Sequence, residues 1–145
     1  MRLPTDTPVR PILLALVLSI AAGCSSPPVP VGMEASLPGS SWTLERVVRA
    51  DGSVERGSGD QITFASDGGL VLSSCNACTG SYVVTGDVLT VGEPLGCTKR
   101  ACAPGAIELE RVLGSSATLR REGVYLVAEP LAGDVEQALF VPASR

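Results

Sequence analysis

The sequence contains no histidine and few aromatic residues: Phe, Trp and Tyr together make up 3% of its 145 residues. Histidine is the commonest general base, the usual pH switch near neutrality and the commonest metal ligand. Its absence removes all three functions together, so we expect a protein that is not an enzyme and that uses no cofactor. Because aromatic side chains are scarce, any apolar pocket would be lined by Val, Leu and Ile.

Positive charge is also in short supply. The chain has 11 Lys and Arg against 15 Asp and Glu, a net charge of −4, and no stretch concentrates the basic residues. Such a surface is repelled by phosphate backbones, which argues against nucleic acid as a partner. The length is enough for one small domain with a modest core.

The N-terminal segment has the features of a cleavable signal. Residues 11–23 carry no charge, Arg2 and Arg10 precede them, and small residues lead up to Cys24. A membrane-spanning helix needs about 20 apolar residues, but the segment after Cys24 is already rich in Ser and Pro. Residues 1–23 therefore resemble the signal peptide of a bacterial lipoprotein. The alternative is ordinary secretory cleavage after Ala22 or Gly23, which leaves Cys24 as an unpaired thiol.

Resemblance to lipoproteins implies that Cys24 becomes the first mature residue and carries a diacylglycerol, with a further acyl chain such as palmitate on its amine. The expected location is the cell envelope. If the host has two membranes, Ser25 favours the outer membrane, with the domain facing the periplasm. Residues 24–38, rich in Ser, Pro and Gly, predict a flexible tether, and the domain is expected to span residues 39–145.

The domain contains four further cysteines, Cys75, Cys78, Cys97 and Cys102. An even number in a small exported domain is typical of two disulfide bonds. Two other interpretations stay open here. Four thiolates could form a zinc site, although four residues separate Cys97 from Cys102 where two are usual, and Cys75 with Cys78 could form a thioredoxin-type redox pair. We expect disulfides and no metal.

Gly and Asp divide the rest of the chain into short runs in which apolar and polar residues alternate. Alternation with a period of two is typical of half-buried strands. Such runs occupy residues 41–47, 62–64, 70–72, 81–85, 88–91, 118–120, 123–127 and 137–141. They predict an antiparallel, mainly β domain. Residues 106–113 differ, since helix formers followed by Gly114 predict one short helix, with Glu108 and Glu110 reaching water.

Several motifs occur in an order that resembles the META domain of the HslJ-like proteins. They are Trp42-x-Leu44, Ile62-x-Phe64, Ser74-Cys75-Asn76 followed by Gly80-Ser81-Tyr82, Thr98-Lys99-Arg100-Ala101-Cys102, Tyr125-x-Val127 and Leu139-Phe140-Val141. The similarity spans residues 38–143. Cys78 and Cys97 are additional to the family pattern.

The resemblance implies a small, antiparallel, barrel-like sheet with one short helix. It implies an envelope lipoprotein linked to stress, motility or secretion, with no established catalytic residues. The Cys-Asn and Ala-Cys elements recur together in the family, so the resemblance implies that Cys75 pairs with Cys102, and we expect Cys78 to pair with Cys97 in a nested bridge. Nested bridges of this kind would join the end of the strand at residues 70–72 to the loop before the helix.

The motif residues themselves have simple expected roles. We expect Trp42 in the core, and the hydroxyls of Tyr82 and Tyr125 at the surface. Asn76 suits a left-handed or turn conformation with hydrogen bonds to nearby backbone. Gly80 would free the backbone before the strand of Tyr82.

These patterns together predict a non-enzymatic envelope lipoprotein whose META domain is a binding or structural module related to stress or envelope integrity. Its expected partners are the membrane, through the N-terminal lipid, and either an envelope protein or a small apolar ligand. Two alternatives stay open. One is a thiol-disulfide active protein that uses Cys75 and Cys78, and the other is a binder of small apolar ligands inside the barrel.

Overall fold

The computed structural model describes residues 32–144, which are folded into ten strands and two short helices. The strands are β1 (Ser40–Arg49), β2 (Val54–Arg56), β3 (Gln61–Phe64), β4 (Gly69–Ser73), β5 (Ala77–Thr85), β6 (Val88–Val91), β7 (Gly96–Cys97), β8 (Ser116–Glu122), β9 (Tyr125–Pro130) and β10 (Val135–Pro142). The helices are α1 (Met33–Ser36) and α2 (Leu109–Leu113).

Eight of the strands close into an antiparallel barrel. Their order is β1-β3-β4-β5-β6-β8-β9-β10, and β10 pairs with β1 to complete the ring. The two remaining strands lie outside the ring, β2 beside β1 and β7 beside β5. The predicted mainly β, barrel-like fold is therefore confirmed. Closure satisfies the backbone hydrogen bonds of strands that would otherwise form open edges.

The barrel interior is filled by the apolar residues that alternate along each strand. Phe64 and Phe140 are fully buried, with leucines from β4, β6, β8 and β9 around them. In β1 the alternation changes phase, because the pairing with β10 shifts register between Leu44 and Arg46. This bulge leaves Glu45 and Arg46 exposed and turns Val47 into the core.

The packed domain begins earlier in the chain than Gly39. Met33 and Leu37 lie four residues apart at the ends of the turn of α1, and both are buried in the core. A helical turn places residues i and i+4 on the same face, so two apolar residues suffice to fix this segment on the barrel. Residues 33–37 thus pack on the domain, whereas the sequence predicts a tether as far as Pro38.

Three local expectations are wrong. The single predicted helix at residues 106–113 forms only as α2, and α1 is a second one. β5 begins at Ala77, so Gly80 lies within the strand of Tyr82 and not before it. Tyr82 is buried and not at the surface, and its hydroxyl donates to the Ala65 carbonyl at 3.1 Å. Burial raises the pKa of this hydroxyl. Between residues 32 and 144, no helix has the length and apolar character needed to span a membrane.

An ionic cluster fastens the end of β1 to its neighbours. The Arg49 guanidinium lies 2.9 Å from a Glu55 carboxylate oxygen on β2 and 2.7 Å from an Asp134 oxygen just before β10. The hydrogen bond from Arg49 holds the pKa of Glu55 below its ordinary value. The cluster joins three segments at the barrel end opposite the start of β1.

Gly57 allows the segment after β2 to lie directly against β1. A Cβ atom added here would overlap the Leu44 carbonyl oxygen and lie 2.8 Å from its carbon. Backbone atoms cannot rotate away as a side chain can, so Gly57→Ala should lower the free energy of unfolding by about 1–3 kcal/mol, as overpacking does.

Gly32→Ala is the matched control for Gly57→Ala, because nothing lies within 4 Å of a Cβ at position 32. It should change the free energy of unfolding by less than about 0.5 kcal/mol, as open surface positions do. Urea unfolding followed by circular dichroism measures both variants. Equal losses at the two positions would contradict the close approach at Gly57.

Candidate functional site

Two segments meet at one corner of the barrel, and we call them the disulfide corner. One is residues 74–78, the turn between β4 and β5 with the start of β5. The other is residues 96–102, which comprise β7 and the loop that follows it. The structure joins them by two nested bridges, Cys75–Cys102 and Cys78–Cys97, whose Cα atoms are 5.7 and 4.0 Å apart. This is the pairing expected from the sequence, in which the family resemblance implies the Cys75–Cys102 bridge.

The bridge pattern bears on the two alternatives for these cysteines. A thioredoxin-type pair needs a bond between Cys75 and Cys78, but each of these residues is bonded to the second segment instead. A zinc site needs four free thiolates, whereas all four sulfurs are engaged in disulfides. The corner is therefore a covalent link between two parts of the fold.

Asn76 is the polar centre of the disulfide corner. Its amide oxygen accepts a hydrogen bond from the Arg100 backbone N–H at 2.9 Å and one from the Thr98 hydroxyl at 3.3 Å. The Thr98 hydroxyl in turn accepts from the Ala77 N–H at 3.1 Å. Every non-glycine residue with a described conformation has a negative φ, so of the two conformations expected for Asn76 the left-handed one is wrong, and the residue lies in the bend between β4 and β5. Its partners belong to the opposite loop and not to its own turn.

The corner also reaches α2. The Ser74 hydroxyl donates to the Asn76 carbonyl at 3.2 Å and lies 3.5 Å from the N–H of Leu109, the first residue of α2. Glu110 on this helix does not extend freely into water as the sequence suggests. One of its carboxylate oxygens is buried without a hydrogen-bond partner among residues 32–144, and its carboxylate lies within 4.8 Å of the sulfurs of Cys78 and Cys97.

A cleft of about 340 Å³ opens beside the corner. Cys75 and Ile107 form part of its wall, and Ser58, Ser73 and Ser74 also line it. Asp60 lines it as well and is the only buried charged residue in the described part of the chain. The volume is at the lower end of the range for ligand pockets.

The polar groups of this cleft suit hydrogen bonding more than bond breaking. The Asp60 carboxylate accepts from the backbone N–H of Ser58 at 2.9 Å and from its hydroxyl at 3.3 Å. Ser58 is only two residues away, so these contacts close a local turn and do not set a base against a nucleophile. The cleft offers hydroxyl and carboxylate groups to a small polar ligand.

The structure divides the predicted motif residues among three places. Asn76 and Thr98 lie together in the disulfide corner. Gly80 and Tyr82 lie further along β5, on its inward face, and a Cβ at Gly80 would meet the Leu95 side chain. Trp42 is buried in β1, as expected. The proposed lipidation residue Cys24 lies outside the described residues.

Sequence reasoning did not identify Asp60 or Ser58. The signal available was Ser58-Gly59-Asp60 immediately before an apolar strand, which is a pattern that also describes an ordinary turn. Nothing in the spacing distinguishes a buried aspartate beside a cleft, such as Asp60, from an aspartate exposed to water.

Comparison with known proteins gives a family and a fold. The META domain family model matches residues 35–128 of the chain. The NMR structure of a protein from Burkholderia xenovorans is similar at a TM-score of 0.58 and 24% identity, covering 96% of this chain and 100% of that one. At this identity the likeness concerns the fold alone. A comparison with curated proteins finds no match.

The hydrogen bonds of Asn76 predict the behaviour of two variants. Asn76→Ala removes the acceptor for Arg100 and Thr98 and should cost about 1 kcal/mol of unfolding free energy. Asn76→Asp keeps an acceptor oxygen in place and should cost less. The exchange rate of the Arg100 amide, measured by NMR, should rise in Asn76→Ala. Equal exchange in both variants would show that the side chain does not hold the loop.

The two bridges should have separable effects. In the chain-entropy model a loop of 27 or 19 residues contributes about 3 kcal/mol, and the second bridge of a nested pair adds less. Removing the outer bridge as Cys75→Ala with Cys102→Ala should free residues 98–106, with faster amide exchange there. Removing the inner one as Cys78→Ala with Cys97→Ala should leave that loop protected. The reverse order of protection would contradict the assigned bonds.

Proposed function

The chain belongs to the META domain family, and from this membership we propose that it is a non-enzymatic, lipid-anchored protein of the cell envelope. The observation that carries the proposal is the disulfide corner. Disulfide bonds form and persist in oxidising compartments such as the periplasm and the cell surface, and are rare in the cytosol. A domain whose site is fastened by two such bonds suits an exported protein.

The leader sequence supports lipid anchoring. Residues 11–23 end in small residues before Cys24, and Cys24 is the one cysteine of the five in the sequence that takes no part in the two bridges. Acylation of Cys24 would anchor the domain through two or more chains, which is enough for stable membrane attachment. Eight residues separate Cys24 from Met33, so the anchor would hold the barrel within about 30 Å of the bilayer surface.

A binding or structural role agrees with the geometry better than catalysis does. The sequence has no histidine, and in the cleft the carboxylate of Asp60 is engaged by Ser58. The corner is fixed by bridges and by hydrogen bonds that the Asn76 amide oxygen accepts, which suits a rigid surface that presents groups to a partner. We assign the module to envelope integrity under stress.

An apolar ligand inside the barrel is the weaker candidate. The interior positions of the described strands are occupied by side chains such as Phe64, Phe140, Leu72 and Leu119, which are at most 1% exposed. Half of the residues that line the cleft beside the corner are serines or Asp60. A partner recognised there would offer hydroxyl, amide or amino groups.

Replacing Cys24 tests the anchoring. Cys24→Ser should shift the protein from the membrane fraction to the soluble envelope fraction or leave its precursor unprocessed, because the serine cannot take the thioether-linked lipid. Ser25→Ala should still partition with membranes, since it leaves the acylated residue intact. A processed Cys24→Ser protein that stays in the membrane fraction would refute the proposal.

Deletion of the protein tests the role in stress. A host strain without it should grow less well under detergent or heat, and the wild-type chain should restore growth. If the role requires the anchor, Cys24→Ser should restore growth poorly although its domain is folded. Full restoration of growth by the soluble form would show that the envelope role does not require the lipid anchor.

A further inference from the structure

A second cleft, of about 520 Å³, lies at the barrel mouth where β1 begins and β10 ends. Ser40, Ser41, Trp42, Gln61, Arg121 and Ser144 contribute to its lining. It is distant along β1 from the Arg49 cluster and does not include the disulfide corner. Barrel mouths are common positions for small-molecule sites, and this volume lies within the usual range for them.

Arg121 is placed at this mouth by the alternation of β8. Ala117, Leu119 and Arg121 lie on one face of the strand, and the first two are buried in the core. The guanidinium carbon of Arg121 is 4.3 Å from the centroid of the Trp42 ring. Trp42 is itself fixed, since its indole N–H donates to the Ser40 hydroxyl at 2.8 Å. The side chain is thus held over a buried aromatic face.

The charge of Arg121 is not neutralised by the chain around it. Arg49 and Arg120 each contact two carboxylates, and Arg111 contacts one. Within the described residues Arg121 forms no ion pair, and no Asp or Glu contributes to the lining of the cleft. Four other described basic residues also form no ion pair, so what distinguishes Arg121 is its place over the Trp42 ring in a cleft without carboxylates.

We propose that the mouth cleft binds the oxyanion of a small molecule, a carboxylate or a phosphate, with Arg121 as its charge partner. A guanidinium presents donors in a planar fork that matches both groups. Gln61 and Ser144 also line the cleft and carry an amide and a hydroxyl for the rest of the ligand, while the Ser41 hydroxyl is already hydrogen-bonded to that of Thr63 at 2.9 Å. The site does not depend on the lipid anchor, so anion binding can be tested independently of the proposed function.

Trp42 provides a direct readout, because it is the single tryptophan of the sequence. Binding at Arg121 changes the environment of the indole against which the guanidinium lies. Sodium glucuronate and inorganic phosphate serve as the two anionic probes, and glucose is the neutral counterpart of glucuronate. Each is titrated at constant ionic strength while the Trp42 fluorescence and the NMR signal of its indole N–H are recorded.

The expected result is a saturable change with glucuronate, with phosphate or with both, and none with glucose. A response to glucuronate alone identifies the oxyanion as a carboxylate, and a response to phosphate alone identifies a phosphate. Arg121→Gln should weaken the responding probe at least about tenfold, because it removes a charge-assisted hydrogen bond. Arg121→Lys keeps the charge but loses the planar fork of donors. Its affinity for the probe should therefore lie between those of the wild type and Arg121→Gln.

Arg120→Gln is the matched control. Arg120 is the neighbouring residue on the opposite face of β8 and is paired with Glu122 and Glu129, so its loss should leave probe binding unchanged. Circular dichroism confirms that each variant is folded before titration. The proposal is overturned if no anionic probe gives a saturable response, if glucose gives the same response, or if Arg121→Gln binds as tightly as the wild type.

Discussion

The pairing of β1 with β10 is the constraint on which the rest of the structure depends. It runs from Trp42 opposite Pro142 to Arg49 opposite Val135, and it joins the two ends of the domain in sequence. Without it the sheet would be open, with two unpaired edges and an interior exposed along one side. With this pairing the barrel is closed, and its interior is filled by the apolar side chains of its own strands. Groups available for binding are consequently found at the barrel ends and corners.

Much of this barrel could be predicted from the sequence, because alternation with a period of two is a local signal. The hairpin of β5 and β6 is a clear case, with apolar residues on one face and Gly86 in the turn. This local signal fails where tertiary contacts determine the phase of the alternation or the secondary structure of a segment. The bulge at Glu45 depends on the β10 register, and the helix of Met33 and Leu37 depends on a core that only the folded barrel supplies.

The candidate sites were predicted less completely, for a physical reason. Both bridges are expected from the sequence, one of them through the family resemblance, but the role of Asn76 depends on which backbone group lies opposite it. Asn is common in turns because it can satisfy its own backbone, and the sequence cannot show that Arg100 competes for the same oxygen. Trp42 was predicted to be buried, yet the cation above it is separated by almost eighty residues along the chain.

The disulfide corner stabilises a loop that buries little apolar surface of its own. Between Glu93 and Ala106 only Leu95 and Cys102 are even partly buried, and all other residues are exposed. A segment with so little apolar contact would not keep one conformation through packing. Two bridges restrict the ensemble of the unfolded chain, and the Asn76 oxygen satisfies the loop backbone in the folded one. Because packing contributes little here, the loop keeps its position through covalent bonds and backbone hydrogen bonds, and side chains such as those of Lys99 and Arg100 are exposed to solvent.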